Sequence, residues 1–206
     1  MQFPNEIQAC LLFDQRVDSL ETMVRAFLRI AESNLCARFN VPEANPGVFY
    51  RLFGADELTI TIEYLDKPAS AEVFQQPLGS AITGIVCPDI RQRLIQSRSH
   101  ILINVSHGAL GNVLESTPEI AAMMRDINYP MPGASLPQFA RRLAVCAMIA
   151  RIVGDHAPAS VVHWTQSNQL FPGEAFDGLA AMEPPSPLHV HPYLYGHSMG
   201  EDGKAK

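Results

Sequence analysis

Three histidines near the C-terminus, His189, His191 and His197, are the one group of side chains spaced like metal ligands. Two residues apart on an extended strand, His189 and His191 face the same side, with about 7 Å between their Cα atoms. A third ligand from His197 would complete an open site for a divalent ion, the arrangement of a metal-dependent hydrolase. The plainer reading leaves both imidazoles on the solvent side of an edge strand. No carboxylate keeps a fixed spacing to them, and motifs this short recur by chance.

His163-Trp164, followed by Ser167 and Asn168, forms the second candidate group. Alternation along a strand sets Trp164 and Val162 on one face and His163 on the other. A lone tryptophan at a strand end beside a polar turn can line a ligand cleft. More commonly it closes the core, with its indole N–H satisfied at the rim, and that reading is preferred here. Ser99-His100 and Ser106-His107 flank the apolar run HILINV, but adjacency in sequence supplies neither hydrogen-bond reach nor an orienting acid. Arg91, Arg93 and Arg98, joined by Arg141 and Arg142, make a basic group able to hold an acidic peptide or a phosphate. Arginine groups of this size are mostly solvated surface. The cleft to look for is therefore lined by Trp164, His163, Ser167, His100, Arg93 and Arg142.

Motifs with a known mechanism are missing. Gly133-Ala-Ser135-Leu-Pro137 lacks the last glycine and the strand–turn–helix setting of a nucleophile elbow. There is no phosphate-binding loop, no G-x-G-x-x-G and no H-E-x-x-H. Cys146 sits among Val145, Ala147 and Met148, surroundings that raise a thiol's pKa and make it a poor nucleophile.

The elements that must position these residues read as follows. Ile7 to Phe13 (IQACLLF) is a buried first strand, and Asp18-Ser-Leu-Glu21 a capping box for a helix running to Asn34–Cys36. Asn40 to Gly47, with Pro42 and Pro46, is a connection, and Val48 to Phe53 a short strand. Leu58 to Leu65 alternates cleanly, with Leu58, Ile60, Ile62 and Tyr64 on one face. Pro77 to Pro88 is ambiguous between helix and strand. Asp89 caps a short helix through Gln96, and His100 to Val105 is a strand. Thr117-Pro118-Glu119 opens another helix, and a Pro- and Gly-rich loop spans Tyr129 to Ala134.

Ser135 to Gly154 is a core helix, apolar except at Arg141, Arg142 and Arg151. Ser160 to Trp164 is a strand and Thr165 to Gln169 a polar turn, after which Pro172 starts a helix carrying Phe176. Leu188 to Tyr195 alternates around Pro192, as an edge strand does. The sum is a single α+β domain over 1–195: a mixed or antiparallel sheet with helices packed mainly on one face. Residues 196–206 would form a flexible or truncated tail.

Composition narrows the function. In 206 residues, 47% hydrophobic content with a net charge of −6 excludes a disordered chain. Fifteen basic against 21 acidic residues argue against a nucleic-acid partner, and no apolar run reaches the roughly 20 residues of a membrane span. Met1 to Ile7 carries no basic residue, and the four cysteines contain no C-x-x-C. Those features fit a reduced, cytoplasmic protein.

The succession ACLLF, LTITIEYLD, SHILINVS, the long apolar helix and VVHWTQSNQLFPGEAF resembles the bacterial family known as domain of unknown function 4261. His100, Trp164, Ser167, Pro172 and Phe176 would occupy its recurrent positions, over roughly Ile7 to Tyr195. The resemblance implies architecture only, because that family has no established activity, cofactor or catalytic residues. The expectation is a non-enzymatic module without a cofactor. It would bind a protein or small molecule, as a possible homodimer. The rival readings are the histidine-cluster hydrolase and an immunity or regulatory protein that binds a toxin or effector.

Overall fold

The computed structural model describes residues 6–34, 37–54, 58–107 and 136–181. Glu6–Phe13 (β1), Phe39–Asn45 (β2), Phe49–Gly54 (β3), Leu58–Leu65 (β4), Ser99–His107 (β5), Val161–Trp164 (β6) and Gln169–Pro172 (β7) form one sheet. Its order is β2-β3-β4-β5-β1-β6-β7. All six pairings are antiparallel. The fold is α+β.

β1 lies between β5 and β6, which explains why it is apolar on both faces. Ile7, Ala9, Leu11 and Phe13 enter the main core, while Cys10 and Leu12 enter a smaller core behind the sheet. Over the main face pack α1 (Leu20–Asn34), α5 (Leu136–His156) and α6 (Gly173–Ala180). From α1 come Leu20, Met23, Val24, Phe27 and Ala31; from α5, Phe139, Leu143, Cys146, Ile149 and Val153; from α6, Phe176. Behind the sheet, the stretch between β4 and β5 folds into a 3-10 turn (Ala71–Phe74), α2 (Gln75–Leu78), α3 (Ala81–Val86) and α4 (Ile90–Gln96). This cap covers β1, β6 and β7 with Phe74, Cys87 and Ile90. The long helices thus share one face, as the sequence predicts, and short ones close part of the other.

Several local expectations change. The stretch expected as a connection before Gly47 is the edge strand β2. Pro42 is tolerated there because an edge strand has amides with no neighbour to serve, and the register slips between Asn40 and Glu43. Gly47, at φ +81°, then makes the hairpin turn behind Pro46. β7 occupies residues assigned from sequence to the polar turn and the helix start, and α6 begins at Gly173. The capping box does not form: Asp18 pairs with Arg16 (2.9 Å) and Glu21 with Arg25. Arg142, expected on the polar side of α5, is fully buried. The helix start near Thr117, the loop at 129–134 and the strand at 188–195 lie outside the described residues.

Candidate functional site

The six residues expected to line one cleft are divided by the sheet. Trp164 is fully buried on the main face, 5.7 Å from the Phe176 ring. His163 points the opposite way, its ring edge-on to Phe74 of the cap at 5.4 Å. His100, of the same parity as Leu102 on β5, sits at the sheet end with its Nδ1 2.8 Å from the Lys67 carbonyl. Arg142 is carried by α5 over the main face and Arg93 by α4 of the cap. Ser167 is buried in the turn between β6 and β7, its Oγ without a partner. His163, His100 and Arg93 share the cap side of the sheet. Trp164 and Arg142 do not join them.

The surroundings of the described cysteines do not activate them. His163 stands across β1–β6 from Cys10, a pairing that invites comparison with a Cys–His dyad. Burial pushes the Cys10 thiol up to about 12 and pulls the His163 imidazole below its ordinary value. Thiol and imidazole are thus both neutral near pH 7. The His163 Nε2 lies 3.3 Å from Asn168 Oδ1, while its Nδ1 is buried with no partner. The turn holding Asn168 is tight, with that residue at φ +49°. Cys87 is raised to about 11 by burial and by donating to Asp89 (3.3 Å). Cys146, fully buried, is raised further. None supplies a thiolate.

Among the described residues no three His, Cys, Asp or Glu side chains could hold a metal ion. His189, His191 and His197 lie outside them. No described helix is long and apolar enough to cross a membrane.

Two hollows among the described residues bear on a site. One, of about 270 Å³, opens between α5 and α6. Leu11, Val162, Ala150 and Phe176 line it together with Asp155, Glu174 and the Arg151–Asp177 pair. Gly173 is obligatory on its wall: a Cβ there would lie 1.7 Å from the Ala159 carbonyl oxygen. The other, about 380 Å³, is a groove between the 3-10 turn with α2 and the helix α4. Pro68, Ala69, Ala71, Phe74, Leu78, Leu94 and Ile95 line it, and Arg91 is its one charged residue.

Sequence reading missed this groove. Its signal is the exposure of large apolar side chains on short helices. Ile95 is 84% exposed, Ile85 79% and Val73 56%. With Val86, they place on the cap four of the six large apolar side chains left exposed among the described residues. Single exposed apolar residues are ordinary, whereas concentration in one region marks an interaction surface.

Arg93 ties the cap to the main layer. Its guanidinium makes two hydrogen bonds to Glu174 (2.8 and 2.6 Å), one to Asp89 (2.9 Å) and one to the Ser160 carbonyl (3.1 Å). These contacts hold both carboxyls below their usual range. Arg93 is therefore a structural clamp, and the sequence-level basic group loses its middle member. α3 closes the free edge of β7: Thr83 Oγ1 donates to Gln169 Oε1 (3.2 Å) and accepts from the Leu170 amide (3.5 Å).

Compared with known families, with curated proteins and with solved structures, the chain matches none.

Proposed function

We propose that this protein is a non-enzymatic binding module and that the cap groove is where it meets its partner. An apolar groove with the exposed Ile95 on its wall, on a cap that also exposes Val73, Ile85 and Val86, carries this reading. The neutral, buried state of the described cysteines, His100 and His163 supports it from the other side. Kinship with the domain of unknown function 4261 family belongs to the same proposal, and so does an immunity or regulatory role, which would be one use of such a surface.

The test is a photo-crosslinking phenylalanine placed at position 95, with position 41 on β2 as the control. One dominant adduct from 95 and none from 41, in cells of the native source, is the expected result. Equal labelling from both positions would count against the groove. Metal analysis of the purified protein addresses the hydrolase: stoichiometric zinc and a hydrolytic activity, both lost in His191→Ala, would replace this reading.

A further inference from the structure

The groove is not electrically neutral, and its charge specifies what fits it. We infer that its occupant is an acidic, amphipathic segment of a partner protein. Apolar side chains of that segment seat against Leu78, Leu94 and Ile95, and its Asp or Glu carboxylates meet Arg91, Arg98 and Lys67. This inference rests on the reading of the groove as a docking site and adds the chemistry of the partner.

Charge complementarity is the argument. The chain carries a net −6, and most described arginines are committed: Arg16, Arg25, Arg38, Arg51, Arg93 and Arg151 each pair with a carboxylate. Arg91, Arg98 and Lys67 have no such partner among the described residues, and all three are exposed on the stretch that builds the groove. Arg91 lines it, Lys67 precedes the lining Pro68, and Arg98 follows Ile95 at the end of α4. Of the carboxylates on the same stretch, Asp66 pairs with Arg16 and Asp89 with Arg93. On that stretch Glu72 is the one carboxylate with no cation paired to it; from the neighbouring strands Asp14, next to the Phe13 carbonyl that accepts the Arg98 amide, and Glu63, which with Lys67 acts on His100, add negative charge at the far end of the rim.

An apolar trough with Arg91 in its wall, and with Lys67 and Arg98 next along the chain, selects carboxylates beside apolar anchors, because the anchors supply burial and the cations supply orientation and rate. A nucleic acid is disfavoured by the chain's net charge of −6. The volume, near the low end of the roughly 300–1,000 Å³ of small-ligand pockets, suits a few side chains better than a large cofactor.

The experiment is a selection of displayed random twelve-residue peptides on the full chain, followed by anisotropy titration of the enriched sequences. Selected peptides are expected to combine two or more apolar anchors with Asp or Glu. They should lose binding to Ile95→Asp and bind the Arg91→Glu/Arg98→Glu double variant about tenfold more weakly. A peptide with Lys in place of its acids should recover binding to that double variant. Circular dichroism and the melting temperature of each variant confirm folding, which the exposure of Ile95, Arg91 and Arg98 favours.

Neutral or basic peptides that still depend on Ile95 would overturn the acidic partner and leave the docking reading standing. Peptides indifferent to Ile95→Asp, or no enrichment at all, would overturn both. A concentration-dependent dimer abolished by Ile95→Asp would name a second copy as the occupant and also overturn the inference.

Discussion

Gly173 and Arg93 show how much of this fold hangs on single contacts. A methyl group at 173 has nowhere to go, since the obstacle is the backbone of Ala159 and no rotamer can relieve it. Gly173→Ala should cost about 2–4 kcal/mol in denaturant unfolding, within the range for a forced backbone shift. Gly178→Ala, in the same helix but facing open space, should be neutral or stabilising by up to about 1 kcal/mol. Equal effects of the two substitutions would refute the close approach. Arg93→Ala removes a bidentate pair and a bond to Ser160. Glu174 is 63% exposed, so solvent screens part of the loss. A cost of about 1–2 kcal/mol is expected, shrinking as salt is raised. Lysine should not restore it, because an ammonium lacks the planar fork.

Among the elements, the cap is the layer most exposed to perturbation, since it closes over a small second core. Phe74 serves it twice, as the ring against His163 and as part of the groove lining. Phe74→Ala should cost about 3–4 kcal/mol. Amide exchange should quicken in α2–α4 ahead of β1, a difference that mass spectrometry reads directly.

How legible each element was depended on whether its signal was local. β1, α1, β4 and α5 carry their periodicity in their own residues and were readable. The parity that separates His163 from Trp164 came from the same rule. β2 and β7 were not readable: one contains Pro42, the other runs from a polar turn straight into Pro172, and each exists because a neighbouring strand completes it. The groove was hidden for a related reason. Its walls come from Pro68 to Ile95, where short helices depend on packing more than on propensity, so only the folded arrangement shows that Ile95 faces outward. Arg142 was misplaced because the apolar stripe of α5 predicts one polar side, whereas that position is enclosed.

For the whole molecule, acidity is the most direct probe. Burial holds His100 and His163 below the ordinary value of 6.5. The unfolded chain therefore takes up protons that the folded one refuses. The sign follows: stability is complete above about pH 6.5 and declines as pH falls through that value, by at most about 1.4 kcal/mol per pH unit for each histidine. Asp89 and Glu174, shifted down by Arg93, act in a separate window at more acidic pH, where protonating them weakens the clamp. Urea midpoints between pH 5 and 7.5 should show the histidine slope, and His163→Leu should flatten it. An unchanged slope in that variant would mean that His163 is not held neutral by its surroundings.

One helix, α4, bears a groove wall on Leu94 and Ile95 and, at Arg93, the grip on Glu174 at the first turn of α6. A guest that levers α4 outward has to strain that grip and, with it, the mouth of the hollow between α5 and α6. The two sides of the sheet are in this sense yoked: news of an arrival behind it has a short mechanical route to the front.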